Sequence, residues 1–259
     1  MAIITLTTDW GNAGYYAAAV KGTILSQLPD ATIVDITHEI EPFNVREASF
    51  IMRNAFRHFP AGTIHIIAVD SIESDKNPHV VVKAYGQYFI STDNGIFSHI
   101  LDGKIDDAVI NDVVQDTGYF TFATRDRFVK VAVMLANGEP LSSIGPKREK
   151  LNDGGVFAPV VKPDSIEGHV IFIDHYENLI TNISQETFDG IRQGRNFNIR
   201  VVGSLYDIDT ISTSYCDVER LDPVALFGTH GFLELALRNA NLASLWGVEI
   251  DTHVLINFY

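Results

Sequence analysis

One cysteine among 259 residues, Cys216, has no partner within the chain. That excludes an intrachain disulfide and a zinc site built on cysteines, and it fits a reducing compartment. Basic residues are also scarce. Lys and Arg total 19 against 33 Asp and Glu, a formal net charge of −14 at pH 7. So acidic a surface repels phosphate backbones and anionic lipid, which argues against nucleic acid and membrane as partners but not against a cationic small molecule. No stretch approaches the roughly 18 apolar residues of a membrane span. Residues 1–16 show no basic segment ahead of the apolar run, and Asp9 interrupts that run early, unlike a secretory signal. These absences predict a soluble, cytoplasmic protein. The phosphate loop G-x-x-x-x-G-K-[ST] and the nucleophile elbow G-x-S-x-G are missing as well. His38, His65 and His79 match no H-x-x-x-H helical spacing, and His65 lies inside an apolar run. Structural histidines are the better reading, and no metal centre is expected. There is no repeat and no low-complexity tract.

The composition, 46% apolar and 20% charged, is that of a globular chain long enough for one large domain or two ordinary ones. Residues 2–7, 32–36 and 63–69 are short apolar, β-branched runs and predict buried strands. Residues 15–28 and 45–59 have helical spacing and are stopped by Pro29 and Pro60. Residues 79–84 and 87–91 predict a hairpin around Gly86, and 126–137 another helix. The alternation over residues 1–150 predicts an α/β domain, a mainly parallel sheet covered by helices. Residues 147–155, charged and glycine-rich, read as a linker. Beyond it, residues 168–174, 196–202, 233–237 and 254–258 predict short strands, and 189–195, with two glycines, a turn. Residues 151–259 thus predict a small, mostly β domain.

In parallel sheets ligands bind beyond the carboxyl ends of strands. Asp9, His38 and Asp70 all fall at such ends. Asp9, in Thr8-Asp9-Trp10-Gly11, either starts a turn by bonding nearby amides or accepts two hydrogen bonds from a ribose diol. Asp70 is either a solvated loop carboxylate or a general base that orients water. In the second half, Asp174 and Asn178 either form a polar turn or face one ligand across it. Gly228-Thr229-His230-Gly231 is a loop of small residues whose backbone could meet a flat heterocycle.

Taken together, these segments resemble the S-adenosylmethionine (SAM) hydroxide adenosyltransferases, relatives of the fluorinase and chlorinase. The match runs in order through T-D-W-G with Lys21-Gly22, D-I-T-H-E-I-E-P, F-P-A-G-T-I-H-I-I-A-V-D, T-D-N-G-I-F and D-H-Y-E-N-L-I-T-N-I. It closes on G-T-H-G-F-L-E-L-A, similar to the family's G-S-F-G-Y-L-E-I-A. The resemblance implies an α/β domain followed by a small β-barrel. It also implies a homotrimer, with SAM, as substrate or ligand, held between the first domain of one subunit and the second domain of the next. No cofactor is implied. Carried over by motif, Asp9 would hold the ribose hydroxyls and Phe43 would wall the sugar. Asp174 and Asn178 would contact the methionine or adenosine end. Thr229, His230 and the backbone from Leu237 to Asn239 would line the adenine.

The implied reaction is attack of water or hydroxide at C5′, with Asp70 among the water-holding groups. Departures from the family pattern cluster at that point. Asn77 stands where the family has an arginine, Ala123 where it has a histidine, and Gly14 where it has a further acidic residue. Thr124 replaces a glycine and falls where the halogenases carry a halide-contacting serine, which makes it a second catalytic candidate. Lys76, His79 and Arg125 are candidate substitutes for the missing groups. Three functions stay open: SAM hydrolysis, non-catalytic binding of adenosine or SAM, and a SAM-dependent halogenase, the last resting on Thr124 alone.

Overall fold

A computed structural model describes residues 2–115, 117–155 and 158–259. The chain divides into two compact units, Met1–Gly155 and Val156–Tyr259.

The first unit is built on six strands: β1 (Ile3–Thr8), β2 (Thr32–Thr37), β3 (Ile64–Ala68), β4 (His79–Ala84), β5 (Gln87–Thr92) and β6 (Asp107–Ile110). They lie in the order β2-β1-β3-β5-β4-β6. The β2, β1, β3 and β5 strands pair in parallel, and β4 is antiparallel to both its neighbours. Helices α1 (Tyr16–Gln27) and α4 (Val129–Ala136) pack on one face with Ile4 and Leu6. Helices α2 (Val45–Ala55) and α3 (Ile96–Ile100) pack on the other with Ile67 and Val69. Burial on both faces explains why β1 reads as a continuous run rather than an alternation.

The threonines of β1 need partners on their buried face and have them. Thr7 Oγ1 donates to the Met52 sulfur at 2.9 Å, and Thr5 Oγ1 meets His65 Nδ1 at 2.7 Å. His65 Nε2 lies 2.9 Å from Gln87 Oε1, and the Gln87 amide donates to the Phe59 carbonyl at 2.7 Å. That order makes Nε2 the protonated nitrogen of a neutral ring. Burial pushes His65 down to about 4. It is a satisfied core histidine, as its place in an apolar run predicts.

Three local features differ from expectation. The helix expected over 126–137 begins as a π-helical turn, Thr124–Phe128, closed by the Val129 amide donating to the Thr124 carbonyl. The short strand β6 lies among acidic residues that hid it. Residues 147–155, expected as a linker, are strapped to the first unit. The carboxylate of Asp93, fully buried, accepts from Arg148 Nη2 at 2.9 Å and from the Asn152 amide at 2.9 Å. Gly95 is left-handed (φ +96°) and abuts this strap, for a Cβ there would meet Gly154 Cα at 2.5 Å.

The second unit comprises β7 (Val160–Val161), β8 (Ser165–Ile173), β9 (Leu179–Ser184), α5 (Gln185–Arg192), β10 (Phe197–Val201), β11 (Asp207–Ile208), β12 (Pro223–Phe227), β13 (Phe232–Leu237), α6 (Leu242–Trp246) and β14 (His253–Phe258). Its antiparallel sheet runs β11-β10-β14-β8-β9-β13-β12, with β7 on β8. A bridge from Ile211 to Ala225 of β12 brings the end of the β11 segment back to the opposite edge, so the barrel nearly closes. Its core includes Ile166, Leu179, Leu235 and Ile256. The turn expected over 189–195 begins later than expected: residues 189–192 end α5, and Gln193 and Gly194 make the turn. Ser184 caps that helix by accepting from the Thr187 amide at 3.1 Å, and Phe188 anchors it in the core. Gly190 sits inside the helix with open space around its Cβ position, and the left-handed Gly194 follows its end.

Candidate functional site

In the first unit the geometry gathers at the carboxyl ends of β1 and β3. β1 leads into α1 on one face of the sheet, whereas α2, on the other face, leads into β3. Neighbouring strands connected on opposite faces open a crevice at their ends. Asp9 and Asp70 lie there. Asp9 Oδ2 accepts from the Asp70 amide at 3.2 Å and from the Phe43 amide at 3.0 Å. One carboxylate oxygen thus ties together the loops after β1, β2 and β3.

Both residues it holds are left-handed, Phe43 at φ +69° and Asp70 at φ +46°. For non-glycine residues that conformation costs about 1–2 kcal/mol, and it persists only where surroundings enforce it, a pattern that clusters at functional sites. Phe43 is 67% exposed, fit to cover a ligand rather than to fill the core. Asp70 is also held from behind, because Asn94 Nδ2 donates to the Val69 and Asp70 carbonyls, each at 3.3 Å.

Aromatic rings flank Asp9. Trp10 packs edge-on against Phe122 at 5.5 Å, Tyr16 does the same at 5.2 Å, and Trp10 lies parallel to His38 at 6.4 Å. His38 is buried, and its Nδ1 meets Thr8 Oγ1 at 2.8 Å. Its Nε2 lies 3.2 Å from Asp35 Oδ1 but off the hydrogen-bonding direction.

Thr124 is buried at the start of the π-helical turn, directly after Ala123. Such turns recur at functional sites because the extra residue re-aims the chain. Among the candidate substitutes, Arg125 is committed elsewhere. It grips Asp126 with Nε at 2.6 Å and Nη2 at 2.8 Å and lies over the Phe122 ring. This pairing pulls the Asp126 carboxyl below its ordinary value. His79 is committed too, with Nε2 3.0 Å from the Ser71 carbonyl and Nδ1 3.3 Å from Arg127 Nη1. Burial lowers its pKa, which keeps the ring neutral. Asn77 Oδ1 accepts from Asn152 at 3.2 Å. The Lys76 ammonium is exposed and pairs with no carboxylate among the described residues.

In the second unit Asp174 and Asn178 face each other across one tight turn. Asp174 Oδ1 accepts from the Tyr176 amide at 2.9 Å and the Asn178 amide at 2.8 Å, and Oδ2 accepts from Asn178 Nδ2 at 3.0 Å. In the 228–231 loop, Thr229 is exposed, while the His230 ring is fixed at both nitrogens. Nδ1 accepts from the Phe232 amide at 3.1 Å, and Nε2 faces Glu234 Oε2 at 3.2 Å. Gly228 makes room for that ring, since a Cβ there would lie 2.4 Å from His230 Nε2. Leu237 is buried, and Asn239 is left-handed at φ +59° in the turn that follows β13.

Two further residues emerge only from the structure. Glu234 is buried and also accepts from the Tyr215 hydroxyl; the tyrosine's own burial, and then this bond and the Glu234 charge, raise the Tyr215 pKa. The signal available for Glu234 was a charge inside the apolar strand Leu233-Glu234-Leu235. Asn94 carries its signal in the T-D-N-G motif. Among the described residues no three His, Cys, Asp or Glu are grouped to hold a metal, and no helix is long and apolar enough to cross a membrane.

The model of the SAM hydroxide adenosyltransferase N-terminal domain matches residues 4–145, and that of the C-terminal domain residues 168–255. The chain therefore belongs to the SAM hydroxide adenosyltransferase family. It is 30% identical over 264 residues to the (R)-S-adenosyl-L-methionine hydrolase of Methanocaldococcus jannaschii, covering 95% of this chain and 92% of that protein. It is 27% identical over 278 residues to the fluorinase of Actinopolyspora mzabensis, covering 93% and 92%. Among solved structures, an uncharacterized conserved protein from Thermotoga maritima superposes with a TM-score of 0.88 at 28% identity, over 98% of this chain and 99% of that one.

Proposed function

We propose that this protein hydrolyses SAM to adenosine and L-methionine. The observation that carries the reading is the meeting of Asp9 and Asp70 across the β1/β3 crevice. Family membership supports SAM hydroxide adenosyltransferase activity in general. Asp9 Oδ2 is occupied by backbone, and its remaining acceptor capacity holds the ribose diol beside Phe43. Thr229, His230 and the backbone of Leu237 to Asn239 line the adenine, and Asp174 and Asn178 meet the methionine or adenosine end. The sulfonium leaves as a neutral thioether, so no general acid is required. Water forms a bond to C5′, the C5′–S pair stays on sulfur, and one proton is released. Asp70 accepts a hydrogen bond from that water and takes its proton. Neutralising opposite charges is favoured in a dry pocket.

A second reading has its own observation. Ala123 cannot hold water, Asn77 is drawn to Asn152, and both Arg125 and His79 are occupied. That set favours a protein that binds adenosine or SAM without turnover, with Lys76 as the one substitute left unpaired. Incubation with SAM in ¹⁸O-water, followed by chromatography and mass spectrometry, separates the readings. Hydrolysis at C5′ places ¹⁸O in adenosine and none in methionine. Intact SAM bound at stoichiometry supports the second reading, and halogenated adenosine in the presence of halide would support a halogenase acting through Thr124. The proposal includes a homotrimer acting in the cytoplasm. A stable monomer in light scattering at micromolar concentration would remove the trimer.

A further inference from the structure

The T-D-N-G segment has no part in the chemistry proposed above, yet it touches both ends of the loop that carries Asp70. At the near end, Asn94 Nδ2 donates to the Val69 and Asp70 carbonyls, each at 3.3 Å. At the far end, the Asp93 amide donates to the Pro78 carbonyl at 2.8 Å. Asp93 also fixes Asn152 through its carboxylate, and Asn152 Nδ2 donates to the Lys76 carbonyl at 2.7 Å and to Asn77 Oδ1 at 3.2 Å. Asn94 is itself immobilised. Its Oδ1 accepts from the Ile96 amide at 3.4 Å, and the next residue is Gly95, pressed against the strap.

We propose that Asn94 is a positioning residue for Asp70. Asp70 is left-handed, and its amide is already given to Asp9, so a second restraint on its carbonyl side fixes the peptide plane at both ends. The direction of the Asp70 side chain follows from that plane. Asn94 touches the backbone, not the reacting atoms, and it sets the line along which Asp70 holds water. The inference rests on the hydrolase reading for its kinetic consequence but not for its structural one.

Asn94→Asp tests it in the full-length protein, because the variant keeps the acceptor for Ile96 and loses both donors. Amide hydrogen exchange is expected to quicken at least tenfold at Asp70, with β3 unchanged. With SAM, kcat is expected to fall tenfold to about a hundredfold, the cost of a small misplacement, while KM stays within twofold. Asn94→Ala, which adds no charge, should do the same, and a melting curve shows that each variant folds. Unchanged exchange at Asp70 in both variants would overturn the proposal. So would a rise in KM at constant kcat, which would make Asn94 a binding residue. If the unaltered protein turns over no SAM, the hydrolase reading fails, and the exchange result alone decides the tether.

Discussion

The two units hold their candidate residues by different means. In the first, the bonds are long-range: Asp9 reaches a residue 34 positions away and another 61 away with the same oxygen. In the second they are local: Asp174 satisfies Asn178, four positions on, and His230 meets Glu234, also four on. A long-range knot forms only when three strands have assembled, and it transmits a change at one loop to the other two. A local turn folds with its own hairpin. The first unit's site is therefore a property of the whole sheet, and the second unit's is a property of two loops.

The largest expected effect tests whether the first unit's knot lacks only its water-holding groups. Ala123→His together with Asn77→Arg should raise hydrolysis of SAM at least about a hundredfold, since base assistance alone adds about 10²–10⁴-fold and correct placement adds to it. The pair should exceed the sum of the single changes, because such groups act as a unit. Single-turnover kinetics check this. An unaltered protein that already works at about 1 s⁻¹ or faster would show that Lys76 or another group has taken over.

Asp9→Ala comes next. It removes a charged acceptor from two amides and from the proposed ribose contact. Adenosine affinity should drop by about 1.5–3 kcal/mol in calorimetry. Hydrogen exchange should quicken at Phe43 and Asp70 together, the signature of a shared tie. Quickening at only one of them would break the contrast between the units.

Acid should also distinguish them. In the first unit His65, His79 and His99 all have lowered pKa values, burial being the main cause in each. A lowered histidine binds its proton more readily in the unfolded chain, so stability is full above about 6.5 and falls as pH drops toward the folded value. For His65, lowered to about 4, the full loss is on the order of 3 kcal/mol. In the second unit the shifted carboxylates Glu167, Glu177, Asp207 and Asp217 lie lower than usual, so their contribution is lost only below the ordinary carboxylate range. Exchange followed from pH 7 to 5 should loosen β3 before β9. His65→Leu should flatten that slope in the first unit.

How much of this was legible in the sequence follows the same division. Strands β1, β2 and β3 and the carboxylates at their ends stood out because apolar runs stop abruptly at polar residues. The tie between Asp9 and Asp70 did not, since nothing in either segment encodes a partner 61 positions away. The π-helical turn at Thr124 was hidden because its residue types suit an ordinary helix. The strap over 147–155 looked like a linker because its anchor, Asp93, is a buried charge that pattern reading treats as a turn residue. At α5, Gly190 within the helix and Gly194 just past it outweighed a capping serine and a buried phenylalanine. The Asp174–Asn178 turn, by contrast, was visible as a turn because every hydrogen bond of Asp174 closes within five residues, although Glu177 inside it also ties the turn to the Ala243 and Ser244 amides.

The smallest expected effect belongs to that turn. Asp174→Asn keeps an oxygen for the Tyr176 and Asn178 amides but places an NH₂ group against Asn178 Nδ2, where a carboxylate oxygen now accepts at 3.0 Å. Two donors cannot bond each other, so one side chain must turn away, and the loss should be about 0.5–1.5 kcal/mol. Because the bonds close within the β8–β9 hairpin, faster exchange should be confined to the turn and the first residues of β9. The barrel core at Ile166 and Leu235 should keep its protection. Ligand binding supplies an independent comparison. If Asp174 contacts the ligand as proposed, SAM or adenosine affinity should fall by more than the turn's own stability does. Equal losses would reduce Asp174 to a turn residue. Loss of protection throughout the barrel would show that the second unit is tied at long range as well, and the contrast drawn between the two units would fail.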